Sequence, residues 1–265
     1  PDRYSRWDLG FVHPALEIIT KGRNFEINAL NPNGVFLIKL IAPSLMKLSH
    51  IEFVKLTSIE NTNLDRIMGK IKKSEDFFFE EQRSRQPSVF SVIRRICDLF
   101  SSDDPYLGLY GAFGYDLVFQ FENIVTKHKR DLEQADCHLY MPVDLVVVDR
   151  QKEEAYKIEY HIDTPDGMTE SWWNTGEKFE IVSSNFDGKI NCDHAVGEFE
   201  EKVKKIKDGC RRGDYYEVVL SQSFSTAFSE KPSTLFDRIC DKNPSPYSFL
   251  INLGSEQLVG ASPEI

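Results

Sequence analysis

The sequence predicts an α+β protein, and three observations carry that prediction. Alternating apolar and polar residues mark strands near both ends of the chain, amphipathic helical repeats lie between them, and Asn-Gly and Pro-rich turns separate the runs. With 265 residues, 41% hydrophobic and 12% aromatic, the chain can bury a sizeable core as one large domain or two small ones.

The first sixty residues read as antiparallel β. Phe25, Ile27 and Ala29 alternate with Glu26 and Asn28, and Asn31-Pro-Asn-Gly turns into an apolar run, 35–41, expected as a strand buried on both faces. A first helix is predicted from about Pro87, with Val89, Ile93, Ile96 and Phe100 on one face and Asp103-Asp-Pro ending it. The stretch LGLYGAFGYDLVFQFE, 107–122, follows; Gly108, Gly111 and Gly114 would let backbones pack closely. It lacks the Lys-Ser/Thr of a nucleotide loop and is not read as one.

MPVDLVVVDRQKEEAYKIEY predicts strands at 144–149 and 155–160 joined by a charged turn. Residues 163–191 are polar and weakly patterned, a linker or surface excursion in which Trp172 and Trp173 suggest some packing. Asp193 is expected to cap a helix carrying Val196, Phe199, Val203, Ile206 and Cys210, with Arg211 and Arg212 at its end, where the helix dipole favours them. Gly213-Asp214 then leads into a predicted strand, 215–226, a short helix at 235–241 and a final hairpin. The organisation expected is thus an N-terminal region, 1–162, the excursion, 163–191, and a C-terminal region, 192–265.

The 32 Lys and Arg against 42 Asp and Glu give a formal charge of -10, which argues against a general nucleic-acid or anionic-membrane surface but leaves room for a local basic pocket. The cysteines, Cys97, Cys137, Cys192, Cys210 and Cys240, show no CxxC or disulfide-like spacing and fit a reducing cytoplasm. No apolar run reaches the roughly 18 residues of a membrane span and no signal peptide is visible. Pro1 reads straight into folded pattern and Ile265 stops inside a strand motif, so the chain is expected to be an internal piece of a longer protein.

Metal ligation and nucleophilic catalysis have little support. Cys137-His138 and Cys192-x-His194 lack a second ligand pair at zinc spacing, and Ser221 and Ser262 lack a nucleophile-elbow signature. Glu217 and Glu264 stand in strand patterns, where an acid faces solvent, finds a partner or serves a pocket. Spacing alone favours ordinary solvated or paired acids, and reads Asn243-Pro-Ser-Pro as a rigid helix-to-strand connection.

The stretch NPSPYSFLINLGSEQLVGASPE resembles the chorismate-binding part of anthranilate synthase component I in consecutive residues. GDYYEVVLSQSF resembles the strand after that family's long helix, GLYGAFGYDLVFQFE its glycine-rich N-terminal signature, and PDRYSRWDLGFV the form fused to a glutamine amidotransferase. The resemblance spans nearly the whole chain, is weakest over 163–191, and covers about the first half of a synthase subunit.

The resemblance implies two antiparallel sheets packed face to face with helices outside. It also implies conversion of chorismate and ammonia, drawn from glutamine through the amidotransferase, to anthranilate and pyruvate for tryptophan biosynthesis. Glu264 is carried over as the general acid. Glu217 stands where water-adding relatives carry a lysine, a substitution that favours amine addition. Asn243, Pro244, Ser245, Pro246, Tyr247, Ser248 and Phe249 match one wall of the pocket for the inhibitor L-tryptophan, the other wall being expected before Pro1. Magnesium is the implied cofactor, with ligands expected beyond residue 265, and the fragment alone is expected to be inactive. The alternatives kept beside this reading are an aminodeoxychorismate or phenazine-type aminodeoxyisochorismate synthase, and a non-catalytic fragment that binds tryptophan or docks an amidotransferase.

Overall fold

The structure is a computed structural model and describes residues 6–74, 78–122, 124–125, 134–172, 189–245, 247–254 and 256–262. In chain order its strands and helices are β1 (Trp7–Gly10), β2 (Leu16–Lys21), β3 (Asn24–Ala29), α1 (Pro32–Met46), β4 (Ile51–Ser58), β5 (Asp65–Ile71), α2 (Val89–Leu99), β6 (Tyr110–Phe113), β7 (Cys137–Met141), β8 (Asp144–Asp149), β9 (Glu154–Glu159), β10 (Asp163–Thr164), β11 (Gly167–Met168), β12 (Asn191–Cys192), α3 (Glu198–Arg212), β13 (Phe224–Ser225), α4 (Pro232–Lys242), β14 (Tyr247–Asn252) and β15 (Gln257–Ser262). Contacts divide the chain into two compact units: Pro1–Glu177 with Ile251–Leu258 and Ser262–Ile265, and Lys178–Leu250 with Val259–Ala261.

The larger unit is built on a six-stranded sheet in the order β4-β5-β3-β2-β7-β6, with a three-stranded sheet β1-β8-β9 beside it in sequence. Every pairing is antiparallel. This is the α+β architecture of antiparallel sheets and helices that the sequence predicts. Register explains the core: Leu16 lies opposite Ala29 and Met141, and Ile18 opposite Ile27 and Leu139, so one face of the sheet is a continuous apolar surface. Leu37, Ile38, Ile41 and Leu45 of α1 and Val89, Val92, Ile93 and Ile96 of α2 join the same buried cluster. At roughly 25 cal/mol per Å² of apolar area removed from water, this layer supplies the main driving force for the unit.

The apolar run at 35–41 is a correction: it is helix, the middle of α1, and not a strand. Asn31 is the N-cap, its side-chain oxygen accepting the Gly34 N–H at 3.3 Å while its amide donates to the His13 and Pro14 carbonyls. Pro32 occupies the first turn, where its missing N–H is not needed. An apolar run of this length fits either element until the start signal is weighed. Gly34 is what lets the helix approach the sheet, because a Cβ there would lie 2.1 Å from the Ala15 carbonyl oxygen.

Helix α2 and the strands β8 and β9 form where expected. Ser88 and Ser91 make a capping box at the start of α2. The aromatic and glycine-rich stretch forms β6 and then a 3₁₀ turn, Tyr115–Gln120. Gly111 packs so closely on β7 that a Cβ would meet the His138 carbonyl oxygen at 2.1 Å.

After β9 the chain returns to α1 through the small hairpin β10–β11. Asn33 donates to the Glu170 carbonyl at 2.7 Å and accepts the Glu170 N–H at 3.0 Å, so one side chain satisfies both groups of a distant peptide. Buried Thr169 bridges the Tyr160 carbonyl and the Ile162 N–H, and Asp144 accepts from Ser171 Oγ and the Trp172 N–H. Trp173 lies outside the described residues.

In the smaller unit, two local expectations are corrected. The helix α3 begins at Glu198 behind Gly197 rather than at Asp193. Asp193 is used instead to accept the Ser223 N–H at 3.0 Å and to pair with His194 Nδ1 at 2.5 Å. The strand expected over 215–226 is reduced to β13, which pairs with β12. A strand persists only where a neighbour takes its N–H and C=O groups, and among the described residues only β12 does so. Helix α4 and the hairpin β14–β15 form as expected.

Candidate functional site

Helix α4 ends at Asn243, whose N–H reaches back to the Ile239 carbonyl at 2.8 Å. The chain then turns through Pro244 and Ser245. Ser245 Oγ accepts the Tyr247 N–H at 3.1 Å, and Ser248 Oγ donates to the Ser245 carbonyl at 3.1 Å. These two bonds turn the chain into β14 and fix Ser248 against the turn. Tyr247 and Phe249 are 62% and 41% exposed, so their rings are available to a ligand. The Phe249 ring lies over Gly260 on β15, where a Cβ would sit 2.3 Å from the ring. The structure therefore brings Ser245, Tyr247, Ser248 and Phe249 into one turn-and-strand element. Pro246 and Glu264 lie outside the described residues, and β15 leads to the latter through Gly260, Ala261 and Ser262.

Glu217 stands in the segment between α3 and β13, exposed, and among the described residues no hydrogen bond or ion pair holds it. The charged clusters near it in sequence are local: Lys202 bonds His194 Nε2 at 3.0 Å and Glu198 at 2.8 Å, while Glu198 accepts the Ala195 N–H. Hydrogen bonds from Lys202 and Ala195 hold the Glu198 carboxyl below its ordinary value. This is an N-terminal fixing arrangement for α3, with acidic Glu198, Glu200 and Glu201 in the first turn as the dipole favours.

A polar network that the sequence did not signal crosses the larger sheet. His138 Nε2 pairs with Glu17 at 2.8 Å, Asn28 donates to the other Glu17 oxygen at 3.0 Å, and Arg66 donates to Asn28 at 2.7 Å. Burial alone would raise the Glu17 carboxyl, but the bonds from His138 and Asn28 outweigh it and the group stays below its ordinary value of 4.5. The neighbouring Tyr140 hydroxyl is pushed up to about 12 by burial and by the Glu17 charge. A lowered carboxyl contributes stability that is complete above the unfolded value and is lost as pH falls through the folded one. Glu17→Gln is therefore expected to lose about 1–3 kcal/mol at pH 7 and progressively less below about pH 4. Denaturant titrations at the two pH values check this, and an equal loss at both would show that the charge of Glu17 is immaterial.

Among the described residues no three His, Cys, Asp or Glu side chains are grouped to hold a metal ion.

A family model described as chorismate binding enzyme matches residues 57–265. The chain belongs to the chorismate-binding enzyme family. Its relatives narrow the comparison to one kind of member. Anthranilate synthase of Azospirillum brasilense is 40% identical over 267 residues, which is all of this chain and 35% of that protein. Anthranilate synthase component 1 of Haemophilus influenzae is 28% identical over 272 residues, 97% of this chain and 50% of that one. The crystal structure of anthranilate synthase component I from Streptococcus pneumoniae TIGR4 shares the fold, with a TM-score of 0.54 at 20% identity over 100% of this chain and 52% of the other. The chain spans about a third to a half of the length of these relatives.

Proposed function

We propose that this chain is part of an anthranilate synthase that converts chorismate and ammonia to anthranilate and pyruvate for tryptophan biosynthesis. The observation that carries the reading is the 40% identity to an anthranilate synthase along the whole chain, together with the family match over 57–265. Ammonia is drawn from glutamine by an amidotransferase domain or subunit. The relatives named component 1 support such a division of labour, and so does the greater length of the Azospirillum protein. The free cysteines and the absence, among the described residues, of a helix able to cross a membrane support a cytoplasmic setting.

In this reading ammonia forms a bond to ring carbon 2 as the carbon 4 hydroxyl departs. Glu264 protonates that leaving oxygen, since hydroxide leaves poorly without a donor. Removal of the carbon 2 proton and loss of the enolpyruvyl group, which takes up a proton to become pyruvate, then make the ring aromatic. The carboxylate of Glu217 accepts a hydrogen bond from the incoming ammonia, a task for which an ammonium side chain is unsuited. What supports this role is the match of Glu217 to the position where water-adding relatives carry a lysine; its exposed setting leaves the carboxylate accessible. The complete protein, supplied with chorismate and either glutamine or ammonium, is expected to form fluorescent anthranilate and one pyruvate per turnover. A product that keeps its enolpyruvyl group would overturn this reading in favour of an aminodeoxychorismate-type synthase.

Glu217→Lys in the complete protein is expected to lose at least about tenfold in amination, and product analysis by chromatography would show any isochorismate formed in its place. Wild-type anthranilate rates in this variant would assign Glu217 to the fold alone.

The turn at Ser245 and Ser248 supports regulation at the same element. L-Tryptophan is expected to inhibit through the pocket of Asn243, Pro244, Ser245, Pro246, Tyr247, Ser248 and Phe249, by favouring a state that binds chorismate less well. Ser248→Phe should relieve inhibition by at least about tenfold, roughly 1.4 kcal/mol of coupling, and leave uninhibited turnover unchanged. Tryptophan titrations of both proteins at fixed chorismate measure this; a wild type indifferent to tryptophan would remove the regulatory role.

A further inference from the structure

A half-open cavity of about 120 Å³ lies beside the last turn of α2, in the larger unit and separate from the elements assigned above. Ile96, Phe100, Leu107 and Met141 give it apolar walls. Protein interiors leave few spaces larger than a water molecule, and an open one lowers stability. Here the space could be filled without strain. Gly108 lines it, a Cβ on Gly108 would meet nothing within 4 Å, and its backbone is outside the left-handed region that demands glycine.

Size and charge define the occupant. A closed apolar cavity of about 150 Å³ accepts benzene; this one is slightly smaller but open on one side, a size that suits one six-membered ring and nothing larger. The polar part of its lining is Cys97, Ser101 and Ser102, at the end of a helix whose C-terminus carries partial negative charge. Asp98 precedes this end and Asp103 and Asp104 follow it, while burial and the charge of Asp104 raise the nearby Tyr110 hydroxyl. An anion is disfavoured there, and a neutral group that donates a hydrogen bond is favoured.

We propose that this cavity is a binding site for a small neutral aromatic ring bearing one hydrogen-bond donor, of the phenol or aniline class.

The test is a phenol titration of the complete protein carrying methyl-¹³C methionine, with the Met141 signal assigned by its loss in Met141→Leu. Buried Met141 touches the cavity, so a bound ring should shift its methyl resonance saturably through the ring current. Benzoate, the same ring with a negative charge, should bind at least tenfold more weakly. Gly108→Leu should abolish the shift by filling the space, and the smaller Gly108→Ala should weaken binding if the leucine variant does not fold. As a second reading, saturating phenol should slow alkylation of Cys97 severalfold without slowing that of exposed Cys210. Failure of phenol to give a saturable Met141 shift, equal binding of benzoate, or undiminished binding in both Gly108 variants would each overturn the proposal.

Discussion

Turnover of the complete protein is expected to fall by about a hundredfold or more when Glu264 is replaced by Gln, with little change in chorismate binding. The substitution keeps the size of the side chain and its ability to donate a hydrogen bond, and removes only the transferable proton. In the proposed reaction, departure of the carbon 4 hydroxyl would then have no acid behind it. A loss confined to turnover marks an interaction made in the transition state, whereas a rise in KM alone would mark Glu264 as a substrate contact. The pH profile gives a second check: a general acid produces an alkaline limb in the wild type, and that limb should disappear in Glu264→Gln. Steady-state anthranilate fluorescence across the pH range measures both effects. Unchanged turnover would remove Glu264 from the chemistry and leave the role of acid to another group.

The second large effect is structural. Gly34→Ala is expected to destabilise the larger unit by about 3 kcal/mol or more, at the upper end of overpacking changes. In an open helix the same change would stabilise by about 1 kcal/mol, so the sign itself is diagnostic. The new methyl group would lie 2.1 Å from the Ala15 carbonyl oxygen and 2.9 Å from the Ala29 Cα, both backbone atoms. Ala15 is not free to yield, because its carbonyl accepts the Leu30 N–H at 2.9 Å and its own N–H donates to Met141 at 2.9 Å. Urea unfolding followed by circular dichroism gives the midpoint. A midpoint equal to the wild type would mean that α1 and the sheet stand further apart than described.

Elements whose cause is local were legible in the sequence. Helix α2 carries its repeat and its stop signal between Val89 and Pro105, and β8 and β9 are bounded by a charged turn. The run at 35–41 misled because so short an apolar run, interrupted only by Lys39, fits a buried strand as well as a buried helix; Asn31 and Pro32, read as a cap and a first turn, separate the two. Residues 215–226 misled for the opposite reason. Their β pattern is real, but ladder partners are set by distant chain, and among the described residues only β12 is present to pair.

The candidate site was legible through resemblance rather than through spacing. Glu217 read from its neighbours alone is an ordinary acid, and its exposed setting does not contradict that reading without the family comparison. The Asn243-Pro-Ser-Pro stretch was visible as a helix-to-strand connection, and the two serine bonds that follow α4 give that pattern a physical basis. The Glu17–His138 pair, 121 residues apart, had no local signal at all. It follows from the register that sets β2 against β7, which a sequence reading does not supply.

The order in which these contacts close has a consequence for synthesis. The pairings of β2 with β3, β3 with β5 and β4 with β5 all close between Leu16 and Ile71, so this part of the sheet can assemble with α1 soon after it emerges. Asn33 finds Glu170 only 137 residues later, an interval of roughly 7 to 30 s at about 5–20 residues per second. Before that, until β7 (Cys137–Met141) has emerged, the flank of β2 that will receive it is an open strand edge able to pair with another nascent chain. Ribosome-bound chains stalled before residue 137 are therefore expected to associate more readily than those stalled after residue 172.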